Sequence, residues 1–142
     1  RASALREVEP HLHNLPPLIQ RQLRATLIDR DLALNAKKLL QSQPEDFDSQ
    51  LGSLLKHDHE QLRDGLNIST PKIERIIDAA MNAGAQGCKI NGSGGGGCMF
   101  AYALRREQQV ARAIEAEGGK AYVVKLSKGV QIQTDTDDKE GD

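Results

Sequence analysis

Apolar residues set the first half of the chain into helices. Leu18, Ile19, Leu23, Leu27 and Leu34 recur at helical spacing, and Ile28, Leu32 and Leu39 add an adjoining strip. That pattern predicts a helix broad enough to pack on two neighbours. Pro16-Pro17 marks its beginning and Pro44 the turn after it. A second helix carries Phe47, Leu51, Leu54, Leu55 and Leu62 on one side and runs to about Asp64, with Gly65 expected to stop it. A third begins at Thr70, an N-cap residue followed by a first-turn proline, Pro71; its stripe is Ile73, Ile76, Ile77, Ala80 and Met81, and it closes at Gly84.

Beyond Gly84 the period shortens. Residues 87–91 and 98–104 read as strands flanking a glycine run, and residues 105–117 as a helix with Val110, Ala111 and Ile114 inward and Gly118-Gly119 at its end. Residues 120–126 form a strand candidate through Tyr122-Val123-Val124, Ser127-Lys128-Gly129 turns the chain, and Val130-Gln131-Ile132-Gln133 alternates as a half-buried strand does. This order predicts an α+β fold, an antiparallel sheet with helices on one face. Residues 1–17 read as a lead-in from a preceding lobe, 18–133 as one domain, and 134–142 as a disordered acidic tail.

The run Asn91-Gly92-Ser93-Gly94-Gly95-Gly96-Gly97-Cys98 holds five glycines in the six positions from 92 to 97. Each ordered glycine costs about 0.5–1 kcal/mol relative to alanine, so an ordered run calls for a function. A flexible linker has polar flanks, whereas Cys98-Met99-Phe100-Ala101 is apolar from the start. Bare N–H groups converging on an anion are the alternative. A Walker A loop is excluded because no Gly-Lys-Ser/Thr follows. Gly92, Gly94 and Gly97 match G-x-G-x-x-G, but a dinucleotide fold also requires a helix from residue 98 onward and an acidic residue about 20 positions on. Only an NADP-like variant of that fold fits the chain.

The ordered blocks Leu51-Gly52-Ser53-Leu54-Leu55, His59-Glu60-Gln61-Leu62-Arg63-Asp64, Ile68-Ser69-Thr70-Pro71-Lys72-Ile73-Glu74 and residues 83–98 resemble the carboxy-terminal lobe of the GHMP kinases, the superfamily of galactokinases, homoserine kinases, mevalonate kinases and phosphomevalonate kinases. The Leu-Arg-Asp and Ser-Thr-Pro blocks are most similar to galactokinases, and the glycine loop ending in cysteine is more similar to mevalonate kinases. Asn91 and Ser93 depart from the threonine and the alanine or glycine commoner there, changes that bear on the substrate.

The resemblance implies a ferredoxin-like carboxy-terminal domain of an ATP-dependent small-molecule kinase. The expected acceptor is a sugar hydroxyl, as in galactokinase, with a mevalonate-type kinase lobe as the alternative. It implies that ATP and Mg²⁺ are bound mainly by an amino-terminal lobe of the same parent chain, that the catalytic carboxylate lies there too, and that this chain alone is inactive. Asn91, Gly92, Ser93, Gly94, Gly95, Gly96 and Gly97 then form the phosphate and substrate loop. An NADP-binding α/β module and a non-catalytic ligand-sensing domain of kinase-like ancestry are the competing readings.

Charge and composition narrow the partners. Lys+Arg of 19 against Asp+Glu of 20 creates no basic field for nucleic acid, and aromatics at 3% leave little for bases to stack on. No apolar run approaches the roughly 20 residues of a membrane span, and a cytoplasmic protein is expected. Cys88 and Cys98 bracket the loop and are read as free thiols that pack as small apolar residues. In His57-Asp58-His59-Glu60 the two histidines point nearly oppositely on a helix, which argues against a metal site and makes His59 a core-edge residue. Arg63-Asp64 is either a ligand-positioning pair or a simple ion pair. Lys125 and Lys128 are the lysines that could approach a phosphate, although a surface position is the commoner fate.

Overall fold

The computed structural model describes residues 4–129. A short helix α1 (Ala4–Val8) and a 3₁₀ turn (Glu9–Asn14) lead into the long helix α2 (Pro17–Ser42). Helix α3 (Phe47–Glu60) follows and runs straight into a π-helical turn (Gln61–Gly65). Helix α4 (Pro71–Asn82), strands β1 (Gly87–Asn91) and β2 (Cys98–Tyr102), and helix α5 (Glu107–Ala116) complete the order. The two strands pair antiparallel from Gly87 opposite Tyr102 to Asn91 opposite Cys98. The result is the expected α+β arrangement.

Local chemistry accounts for the best-defined helix. Thr70 is extended (φ −132°, ψ 155°) and its hydroxyl accepts the Ile73 N–H at 3.2 Å, while Pro71 occupies the first turn, where its missing N–H is of no consequence. Ile73, Ile77 and Ala80 of α4 meet Cys88 and Ile90 of β1, Ala85 and Ala103 beside the strands, and Val110 of α5. These form the core. Helix α4 ends as the sequence predicts, with Gly84 at φ +102°.

Helix α3 packs on β1 at a glycine pair. A Cβ on Gly52 would overlap the Gln86 carbonyl, and one on Gly87 would overlap the Gly52 carbonyl. Gly65 works the same way. It was expected as a helix stop, but its φ is not positive, and a Cβ there would overlap the Ala25 side chain of α2. Close approach of two helices, not a left-handed cap, is what selects glycine at that position.

Three expectations are corrected. Helix α2 forms where predicted but buries Ala25, Leu32 and Leu39, while Leu18 and Leu34 are 53% and 48% exposed and Ile19 is exposed with them. The adjoining strip packs through Leu32 and Leu39, whereas the first strip stays open at Leu18, Ile19 and Leu34. Residues 120–126 are not a strand: they join no sheet among the described residues, and Tyr122, Val123, Val124 and Leu126 are exposed. Strand propensity supplies no hydrogen-bonding partner, and here β1 and β2 pair with each other. Cys98 is exposed, not packed, whereas Cys88 is buried. The strand expected at residues 130–133 and the tail at 134–142 lie outside the described residues. Residues 1–17 include a fully buried Leu12, and Glu9 accepts from Arg24 of α2.

Candidate functional site

The glycine run is the loop of the β1–β2 hairpin. Gly92, Gly94, Gly95, Gly96 and Gly97 all take positive φ, at +86°, +76°, +72°, +134° and +81°. An L side chain rarely adopts these values, so the backbone path itself requires glycine. A Cβ on Gly92, Gly95, Gly96 or Gly97 would meet nothing within 4 Å. Those four positions border open space. Gly94 differs: a Cβ there would stand 2.6 Å from both the Cβ and the carbonyl oxygen of Ile68.

One hydrogen bond fixes the loop to the body of the domain. The Gly95 N–H donates to the Ile68 carbonyl at 2.7 Å. Ile68 sits in the connection between the π turn and α4, after Asn67 at φ +56°, and its own N–H donates to Leu62 O at 3.1 Å. Among the described residues Gly95 is the one loop glycine whose N–H is taken up by the fold in this way. Asn91, Ser93, Gly95 and Gly97 are exposed. The loop is thus an exposed, tethered hairpin of bare backbone with the Ser93 side chain on its surface, an arrangement that can approach phosphate oxygens.

The dinucleotide alternative fails on this geometry. Residues 98–102 are a strand antiparallel to β1, and the next helix begins only at Glu107. No helix begins within the glycine run or directly after it, as the dinucleotide fold needs.

The other residues singled out in the sequence are placed as follows. His57 is exposed and His59 is 4% exposed, on opposite sides of α3 as their spacing implies. Arg63 binds Asp64 with two hydrogen bonds, 2.7 Å from Nε and 2.8 Å from Nη2. The ion pair is thus the observed arrangement; the hydrogen bond raises the guanidinium pKa and lowers that of the carboxyl. Lys125 and Lys128 are exposed in the irregular segment after α5. Cys88 pairs across the ladder with Ala101 and Cys98 with Asn91, so the two thiols do not face each other.

Two clusters escaped sequence reasoning. Lys89, the basic residue just before the loop, forms an ion pair with Asp58 of α3, and Asp29 of α2 lies against the same group. Burial, and then the Asp58 charge, push the Asp29 carboxyl up to about 6 despite Lys89. Asp29 interrupts an apolar helix face, the one signal that marked it. The second cluster centres on Glu74, which accepts from Ser69 Oγ and, at 3.0 Å, from His59 Nε2. Arg63 Nη1 lies 3.5 Å from the other carboxylate oxygen. At the far end of the hairpin the Tyr102 hydroxyl donates to Asp48, which pushes the phenol up to about 12.

Comparison with known proteins agrees with the geometry. Residues 23–121 match the family described as GHMP kinases C terminal. The chain is 33% identical over 127 residues to a mevalonate kinase of Thermococcus sibiricus, covering 89% of this chain and 34% of that protein. It is 36% identical over 129 residues to a mevalonate kinase of Pyrococcus abyssi, covering 89% of this chain and 37% of that protein. A galactokinase of Pasteurella multocida is 31% identical over 134 residues, with coverage of 87% and 34%. The chain thus spans about a third of the length of the curated relatives it matches. A tethered glycine hairpin beneath a helical layer, and a family match over most of the chain, lead to one conclusion: this chain belongs to the GHMP kinase family, as its carboxy-terminal domain.

Proposed function

We propose that the chain is the carboxy-terminal lobe of an ATP-dependent kinase that phosphorylates a hydroxyl of a mevalonate-type substrate, working with an amino-terminal lobe of the same protein. The observation that carries this reading is the hairpin loop, which leaves open space beside Gly92, Gly95, Gly96 and Gly97 while the Gly95 N–H ties it to Ile68. The names of the relatives favour mevalonate over the sugar expected from the sequence, with the galactokinase supporting a sugar hydroxyl as the second reading.

Phosphoryl transfer is mostly positioning and charge stabilisation. In this reading the loop N–H groups and the Ser93 hydroxyl donate to phosphate oxygens, and the absence of side chains at Gly92, Gly95, Gly96 and Gly97 lets those oxygens approach the backbone. The cradle fits phosphate. Mg²⁺ would supply neutralisation of phosphate charge, but the loop carries no carboxylate, and the described residues hold no group of three or more candidate ligands. In this reading its ligands come mainly from the amino-terminal lobe, and no step here runs through it. Lys89 is engaged by Asp58, so the loop acts through dipoles rather than a formal charge.

A coupled assay of ADP release by the full-length protein tests the substrate: turnover with mevalonate and little with galactose is expected, and the reverse preference would reinstate the sugar. For the isolated chain, millimolar ATP affinity or weaker is expected, about 4 kcal/mol or less. Micromolar binding by calorimetry would contradict the shared-site reading.

A further inference from the structure

The hydrogen bond that places the glycine loop ends on a segment which is itself held by a carboxylate. Ile68 takes the Gly95 N–H on its carbonyl and lies beneath Gly94. The next residue, Ser69, donates its hydroxyl to Glu74 Oε1. That same oxygen is 3.0 Å from His59 Nε2, and Arg63 Nη1 is 3.5 Å from Oε2. Burial opposes ionisation of Glu74, yet the hydrogen bonds from Ser69 and His59 and the charges of His59 and Arg63 outweigh it, so the carboxyl is held below its ordinary value. An ionised carboxylate only accepts, which puts the proton on His59 Nε2. Helix α3, the π turn, the connection and α4 therefore converge on one side chain.

The connection has reason to move without that hold. Asn67 sits at φ +56°, the left-handed region that most side chains avoid. Residues 67–69 are kept there from one side by Ile68 N–H to Leu62 O and from the other by Ser69 to Glu74.

We propose that Glu74 is a positioning residue for the glycine loop: through Ser69 it fixes Ile68, and through Ile68 it fixes Gly95 and the direction in which the neighbouring N–H groups point. Its catalytic consequence rests on the kinase reading above; its structural consequence does not.

The test uses full-length protein labelled with ¹⁵N-glycine, comparing amide hydrogen exchange at Gly95 with that at Gly87 in β1. Ser69→Ala is expected to speed exchange at Gly95 about tenfold while Gly87 is unchanged, the pattern of a local opening. Ser69→Thr, which keeps the hydroxyl, restores protection. Glu74→Ala repeats the effect, and Glu74→Gln, which keeps an acceptor for Ser69, gives a smaller one. Unchanged exchange at Gly95 in Ser69→Ala, or a parallel rise at Gly87, overturns the proposal. In the same preparations Ser69→Ala should lower kcat about tenfold and move the KM for ATP less than about twofold, because misorientation acts on the reacting geometry. If wild-type protein phosphorylates no alcohol, the kinase reading fails, and the exchange data still decide the role of Glu74.

Discussion

Gly52 of α3 and Gly87 of β1 pack backbone to backbone, each leaving no room for a Cβ beside the other's neighbourhood. This contact brings the long helical layer down onto the hairpin that carries the loop. Gly52→Ala must displace the Gln86 carbonyl, and overpacking of this kind costs about 1–3 kcal/mol. Urea denaturation should show a lower midpoint with an unchanged slope. An unchanged midpoint would mean that the helix and strand separate without cost.

The loop glycines should not be equivalent. Gly92→Ala and Gly96→Ala place a methyl group in open space and lose only through positive φ, about 1–3 kcal/mol. Gly94→Ala adds a collision with Ile68 and should be the most destabilising of the three. Thermal melts of the three variants check the order; equal losses would show that the loop does not rest on Ile68.

Much of this architecture was legible in the residues, and the exceptions share a cause. Thr70-Pro71 and the Ile73, Ile76, Ile77, Ala80 stripe specify α4 locally, because cap, proline and period all act within one helix. The glycine loop was equally plain, since a positive-φ path needs glycine whatever surrounds it. What Leu18, Ile19 and Leu34 face, whether residues 120–126 find a partner strand, and why Gly65 is glycine each depend on a distant segment. Periodicity carries no such information. Glu74 was likewise unreadable, because its partners His59 and Ser69 converge only after α3 and α4 have packed.

Asp29 should make stability depend on pH. Its carboxyl has an ordinary value of 3.8 and is raised to about 6 in the fold, first by burial and then by Asp58. The folded state therefore binds this proton more tightly than the unfolded state, and the contribution is full below pH 3.8 and lost as pH rises through 6. Asp29→Asn removes that loss. Its stability relative to wild type should increase between pH 4 and pH 7, windows set by those two values; a difference independent of pH would contradict the assignment.

The thiols should differ sharply. Burial pushes Cys88 up to about 12, whereas Cys98 is exposed on β2. A thiol reagent at neutral pH should modify Cys98 rapidly and Cys88 only on unfolding. Mass spectrometry of the modified peptides distinguishes them, and rapid modification of Cys88 would show that the strand opens readily.

The central claim is that the glycine loop orients phosphate by its backbone and is not a mere hairpin connection. The most direct measurement is turnover of the full-length protein carrying Gly96→Val, set beside its melting temperature. The account predicts that kcat falls by about a hundredfold or more, the scale of losing a preorganised donor array, while the protein remains folded at the assay temperature. Near-normal turnover, or a loss of activity that only tracks unfolding, would contradict it.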